Sequence, residues 1–397
     1  MTIGINATAA IKQPRTGVEE YTYQLIKHLT MLPEAREHRF FLYIPEKKIN
    51  LLTPLRSAQG ISPERSVAES RANPFDFPLP SNFEIKVLRW PLPFLWTQAR
   101  LAWEILWHSP EVLFIPVHVL PFGALKKSVV VLHGLEYEYF PEYYSFWRRW
   151  YLRYSTKSAA RRASKIIAIS TNTKNDLVKF YGIKSDKIEV VHHGIDKEKN
   201  PSTHPSTSSG LARGINSPYI LYLGRIETKK NVQGILEAYK ILKEKYGVPH
   251  KLFLAGAPGY GYHNLKLEIK NLLEIGYWKL EIKELGYVVE KEKQYLLSNA
   301  DIFLFPSFYE GFGLPVLEAQ AADVPVVTSF NSCLPEIAGQ GAIFVDPKNS
   351  EQIAEAAKQA IDDGVLRDRL IQLGRENVKR FNWEKCARET LKIVASG

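Results

Sequence analysis

Cysteine is nearly missing from this chain. Cys333 and Cys386 are the only two in 397 residues, too few for a disulfide framework or a cysteine-rich zinc site, and a reducing compartment is the simplest setting. Long apolar runs are missing as well. The most apolar and aromatic stretch, residues 94–125, is interrupted by Arg100, Glu104 and Glu111, so it is not a membrane-spanning helix. The first residues carry no apolar core behind a basic start, so no secretory signal is expected. No repeat of solenoid length occurs, and no zinc-finger, RNA-recognition or helix-turn-helix signature accompanies the excess of basic residues. An Asp-x-Asp pair of metal-binding carboxylates is also absent. Together these absences point to a cytoplasmic protein, soluble or peripheral, with no nucleic-acid partner and no metal.

What is present is ample material for burial. Hydrophobic residues make up 45% of the chain, and its length exceeds one ordinary core, so two domains are expected. Short apolar, β-prone runs at Ile3–Asn6, Ser128–Leu132, Lys165–Ser170, Tyr219–Leu223, Leu252–Ala255, Ile302–Phe305 and Pro325–Thr328 alternate with helical stretches. That alternation marks a doubly wound α/β protein with parallel sheets. The Ser- and Pro-rich stretch Asn200–Gly210 falls between the two sets and reads as a linker. Residues 45–82 lack periodicity and read as a long irregular insertion.

The densest chemistry lies in Pro306-Ser-Phe-Tyr-Glu310-Gly-Phe-Gly-Leu-Pro-Val-Leu-Glu318. A buried strand precedes it and a helix from Leu314 to Ala322 follows. Pro315 suits a first helical turn, and Gly311 and Gly313 let backbone approach a ligand. Free amides at that helix start would face an anion at the strand's carboxyl edge. Taken alone, Glu310 could equally offset the helix dipole, with Glu318 an ordinary surface residue. Upstream, a second strand ends at Gly224 and runs into Arg225-Ile-Glu-Thr-Lys-Lys230. Arginine offers phosphate a bidentate fork and lysine a point charge, which suits a diphosphate.

In this order the two segments resemble the donor site of the family 4 glycosyltransferases. The resemblance covers nearly the whole chain. Pro14-Arg-Thr-Gly17-Val resembles the family's glycine loop, with Thr16-Gly17 where many members carry two glycines. Ser128-Val-Val-Val-Leu-His133-Gly134 resembles the strand and active-site histidine, with Gly134 where relatives often have Asp. The resemblance implies the GT-B fold: two Rossmann-like doubly wound domains, 1–199 and 218–380, facing a central cleft, joined by a linker at 200–217, with a helix at 381–397 returning to the first domain. It also implies a retaining hexosyltransferase that needs no cofactor. His133 and Glu310 would be catalytic. The donor would be held by Gly17, Gly224, Arg225, Lys230, Val288, Gly311, Phe312, Gly313, Leu314 and Glu318, with Glu310 on the sugar hydroxyls, Glu318 on the ribose and the backbone near Val288 on the base. GDP-mannose is the first choice of donor, a UDP-sugar the second, and the acceptor would be a glycan or a lipid-linked sugar in cell-envelope polysaccharide synthesis. Two alternatives stay open: a nucleotide-sugar epimerase of the same fold, and a non-catalytic nucleotide-sugar or membrane-surface binding protein.

The formal charge of +10 has its densest source between Tyr143 and Asn175, which contains no acidic residue. Arg149, Arg153, Lys157 and Arg161 recur every fourth position along one side of a helix, in the company of Phe146, Trp147, Trp150, Tyr151 and Tyr154. Two readings stand: a helix lying on an anionic lipid surface at the inner face of the plasma membrane, or a solvated basic face whose aromatics pack inward.

Overall fold

The computed structural model describes residues 1–46, 73–92, 95–121, 123, 127–195, 217–274 and 281–397. Most of the expected insertion at 45–82, and all of the expected linker except Ser217, lie outside the described residues. The chain divides into two compact units, Met1–Gly194 with Asn382–Gly397, and Ile195–Phe381.

The first unit is built on β1 (Thr2–Asn6), β2 (Arg39–Pro45), β3 (Phe83–Leu88), β4 (Val112–Ile115), β5 (Ser128–Leu132), β6 (Lys165–Ala168) and β7 (Ile188–Val190). Their order across the sheet is β3-β2-β1-β4-β5-β6-β7, and neighbours run parallel. Val112–Ile115 and Ser128–Leu132 are buried along their whole length, as strands covered on both faces must be. The covering helices are α1 (Gly17–Met31), α2 (Ala102–Trp107), α3 (Glu136–Tyr139), α4 (Phe146–Arg162) and α5 (Thr171–Tyr181). In α1, Tyr21, Leu25, Ile26 and Leu29 are buried at helical spacing, and the Glu19 carboxylate reaches back to the Thr16 amide at 3.2 Å, satisfying a donor that the helix leaves open.

The second unit repeats the plan. β8 (Tyr219–Leu223), β9 (Lys251–Ala255), β10 (Ile282–Gly286), β11 (Ile302–Phe305), β12 (Val326–Ser329) and β13 (Ala342–Val345) lie in the order β10-β9-β8-β11-β12-β13, again parallel. Its helices are α6 (Val232–Glu244), α7 (Tyr262–Glu274), α8 (Glu290–Ser298), α9 (Leu314–Ala321), α10 (Leu334–Ala338), α11 (Ser350–Asp362) and α12 (Gly364–Val378). The last helix, α13 (Trp383–Ser396), belongs to the first unit, where it packs on α1 and against β4, β5 and β6. Asn382 starts it by accepting from the Glu384 and Lys385 amides. Trp383 abuts Gly194 so closely that a Cβ on that glycine would collide with the Trp383 backbone.

Each sheet reverses strand order once, between β1 and β4 and between β8 and β11. In open α/β sheets the crevice beyond the carboxyl ends at such a reversal is where ligands bind. The segments that follow β8 and β11 are Gly224–Lys230 and Pro306–Gly313, so these two motifs, far apart in the sequence, are neighbours in space.

Candidate active site

In the second unit the site is built on two fastened loops. β8 and β11 are hydrogen-bonded neighbours, with Ile220 opposite Ile302. The loop after β8 is stitched to residues 255–261: the Gly224 amide donates to Ala255 O (2.9 Å), Ile226 to Ala257 O (3.0 Å) and Thr228 to Tyr260 O (3.0 Å), and Gly259 donates back to Ile226 O (2.9 Å). Only glycine fits this approach at position 256, where a Cβ would strike the Gly224 carbonyl oxygen, and at position 261, where φ is +78° and the Thr228 hydroxyl is in the way. Sequence reasoning passed over this supporting loop, although its Gly256-Ala-Pro-Gly-Tyr-Gly261 run was the available signal. Beneath it, the buried Tyr222 hydroxyl donates to Arg225 O at 2.7 Å. The Arg225 side chain itself is exposed, and no ion pair or hydrogen bond occupies its guanidinium among the described residues.

Asn231 joins the two loops. In the left-handed conformation it caps α6 through Gly234 N, while its amide donates to Pro306 O (3.1 Å) and Pro347 O (2.6 Å). Lys229 O accepts from the Ser307 hydroxyl (3.2 Å) and the Phe308 amide (3.0 Å). From behind, the turn after β12 holds the Glu310 segment: Asn331 donates to Phe308 O (3.0 Å), the Ser332 hydroxyl accepts from Glu310 N (3.1 Å), and the Cys333 thiol lies 3.1 Å from Glu310 O and 3.2 Å from Phe312 O. Burial, then the nearby Glu310 charge, push the Cys333 thiol well above its ordinary pKa, which keeps it a neutral donor. Asn331 and Ser332 were not singled out in the sequence, and Cys333 only as one of its two cysteines; the three act here because β11 and β12 are adjacent.

Gly313, at φ +93°, is the cap residue of α9, and Pro315 sits in the first turn, so the helix start offers amides to an anion. Gly311 and Leu314 are half-buried beside it. Phe312 points the other way, buried edge-on to Phe381 at 5.8 Å between centroids, which makes it an anchor of the loop. The charges then fall into two sets. Lys230 Nζ lies 2.5 Å from Glu310 Oε1, with the side chains 16% and 10% exposed. Lys293 Nζ lies 2.7 Å from Glu318 Oε1 and 2.9 Å from Glu290 Oε2. Burial opposes the Lys293 charge, but the Glu318 and Glu290 carboxylates outweigh it and raise its pKa. Lys293 carried no sequence signal of its own. Val288, after β10, is half-buried against the core.

In the first unit, His133 follows β5 directly. Its Nε2 lies 2.8 Å from Pro116 O, so that nitrogen carries the proton, and its amide donates to His118 Nε2 at 3.2 Å. Tyr21 of α1 meets the His133 ring edge-on at 5.0 Å, and stacks on His193 at 4.5 Å. Trp383 of α13 stacks on His193 at 5.9 Å. Burial, reinforced by the neighbouring His118, depresses the His133 pKa to about 3; burial brings His118 to about 4 and His193 well below the ordinary histidine value. These imidazoles are neutral at physiological pH. Gly17 opens α1 at an exposed position, where an added Cβ would meet nothing within 4 Å, so packing does not demand glycine there.

Two parallel doubly wound units, one carrying paired charges and a helix start at its switch point, are the architecture of a GT-B fold. Residues 15–199 match the family described as Glycosyltransferase Family 4, and residues 210–377 match Glycosyl transferases group 1. The chain belongs to the family 4 glycosyltransferases and is a glycosyltransferase. It is 28% identical over 389 residues to the O-antigen chain mannosyltransferase B of Escherichia coli, covering 98% of both chains. It is 24% identical to the O-antigen chain mannosyltransferase RfbU of Salmonella typhimurium, covering 71% of this chain and 74% of that one. Among solved structures, the fold matches Anabaena HepE in complex with UDP and glucose (TM-score 0.68, 17% identity, 100% and 99% covered) and WaaG, a glycosyltransferase involved in lipopolysaccharide biosynthesis (TM-score 0.68, 17% identity, both chains fully covered).

Proposed function

We propose that this chain moves mannose from GDP-mannose to a lipid-linked glycan in the synthesis of a cell-envelope polysaccharide, with retention at the anomeric carbon. One observation carries the reading: the open Arg225 guanidinium and the Lys230–Glu310 pair sit on the two loops of one switch point, beside the Gly313 helix start. The mannosyltransferase names of the relatives support mannose. When the bond between the sugar and the diphosphate breaks, negative charge grows on the leaving phosphate oxygen, so cations and amides already held there stabilise the transition state more than the ground state. Arg225, Lys230 and the amides at the start of α9 take that role. Glu310, released from Lys230 as the diphosphate engages the ammonium, accepts from hydroxyls of the sugar. Glu318 and Lys293 receive the ribose side of the nucleotide, and the backbone near Val288 the base. The acceptor oxygen bonds to the anomeric carbon on the face the diphosphate leaves, and its proton passes to the leaving phosphate. His133 is neutral, so it orients a hydroxyl through Nδ1 and carries no catalytic proton.

The test is a thermal-shift series with GDP, GDP-mannose, UDP and UDP-glucose, followed by turnover of whichever donor binds. A ligand at a hundred times its dissociation constant adds about 2.7 kcal/mol of stability, so the expected result is a clear upward shift with the guanosine ligands and release of GDP. A shift with the uridine ligands alone would move the donor to a UDP-sugar. No shift with any of the four would overturn the reading.

A further inference from the structure

The outward face of α4 has no role in the site just described. It is also unlike an ordinary helix surface. Ser155, Thr156, Ala159 and Ala160 are buried against the first unit, while Phe146, Trp147, Trp150, Tyr151 and Tyr154 are between 48% and 76% exposed. The alternative in which the aromatics pack inward is thus replaced by its opposite: small residues face the core and large rings face out. At 3.6 residues per turn, the five rings gather on the side away from the buried stripe over the first half of the helix. The same side continues with Lys157 and Arg161 over the second half, and Arg162 borders it. α4 carries six cations and no acid.

The arginine row named from spacing alone divides. Arg149 donates to Tyr137 O (3.1 Å) and Arg153 to Glu138 Oε1 (2.8 Å), so these two hold α4 to α3. Lys157 lies 6.0 Å over the Tyr181 ring. Arg161 is exposed, as is Arg148, which lies 5.6 Å over Tyr144. A second exposed apolar set on α2, Trp103, Leu106 and Trp107, is accompanied by Glu104 paired to Arg100 at 2.9 Å and by no row of cations, so nothing indicates what would cover it.

We propose that the aromatic and basic outward face of α4 docks the first unit on an anionic bilayer. Tryptophan and tyrosine take the headgroup level, where an apolar body and a polar edge are both satisfied, and the cations are drawn to anionic lipid within a Debye length. Rings and cations together on one outward helix face complement such a surface. The proposal rests on the reading that the acceptor is lipid-linked, since that substrate is held at a membrane.

The experiment is co-sedimentation with vesicles of phosphatidylglycerol and phosphatidylcholine, and with phosphatidylcholine alone, at low salt. Three proteins are compared: wild type, Trp147→Ser/Trp150→Ser/Tyr154→Ser, and Arg149→Ala. Wild type is expected to bind the anionic vesicles with a blue-shifted tryptophan emission, and the ring variant to bind at least tenfold more weakly. Arg149→Ala, which loses an internal contact, is expected to bind as wild type does. Turnover of the donor on a detergent-solubilised acceptor should be equal in wild type and the ring variant, so loss of turnover in wild type counts against the transferase reading and not against docking. Wild-type protein that ignores anionic vesicles, a ring variant that binds unchanged, or a concentration-dependent dimer lost in the ring variant would each overturn the proposal, the last by giving the face to a second copy of the chain.

Discussion

The two units share one strand order through six strands and differ in the side chains gathered beside the site described in each. The second answers charge with charge: Lys230 faces Glu310, Lys293 faces Glu318 and Glu290, and Arg225 is open. The first keeps His118, His133 and His193 uncharged among Tyr21 and Trp383. A doubly wound sheet therefore specifies where a ligand sits but not what chemistry meets it; the loops decide that. An edge of paired ions suits a ligand that brings charge and redistributes it, whereas neutral imidazoles suit hydroxyls that must be oriented without being charged.

The comparison breaks most severely at Trp383. This residue caps the aromatic stack of the first unit, and Trp383→Ala should remove about 3–5 kcal/mol of stability there, read by chemical denaturation, while nucleotide affinity at the second unit is kept. Equal loss of nucleotide binding would mean that the charged edge depends on the first unit's core. Next in size is Lys230→Ala, which should lower kcat/KM by about 2–4 kcal/mol of transition-state stabilisation. Because that variant also strands Glu310, the double variant with Glu310→Gln should recover the melting temperature but not the turnover. Recovery of both would make the pair a structural ion pair only.

A smaller effect distinguishes the neutral edge. The folded pKa values of His118 and His133 lie below the ordinary histidine value, so between about pH 6.5 and 4 the unfolded chain binds more protons than the folded one. The stability they contribute is complete above pH 6.5 and is lost as the pH falls, on the order of 2 to 3 kcal/mol for each histidine by pH 4.5. His118→Asn/His133→Asn should flatten that slope. A wild-type slope unchanged by the double substitution would show that other groups titrate there.

Much of the fold was legible because parallel strands buried on both faces need uninterrupted apolar runs, and Tyr219–Leu223, Ile302–Phe305 and Ser128–Leu132 supply them. The helix after Gly313 was legible for a similar local reason, since glycine and proline mark its start. Contacts that depend on which strands are neighbours were not. Lys293 meets Glu318 across 25 residues and Ser332 meets Glu310 across 22, and neither pairing has a periodicity to reveal it. The arginines of α4 were read as one row because spacing fixes a helix side, but it cannot tell that Glu138 stands beside the first two.

The central claim is that the charged edge of the second unit, and not the histidine edge of the first, holds the diphosphate. Calorimetric titration of GDP into wild type, Arg225→Ala and His133→Asn tests it directly. Arg225→Ala should weaken binding by about tenfold or more, a loss of at least about 1.4 kcal/mol. His133→Asn should bind GDP as wild type does even though transfer slows. GDP affinity that falls with His133→Asn and survives Arg225→Ala would contradict the account.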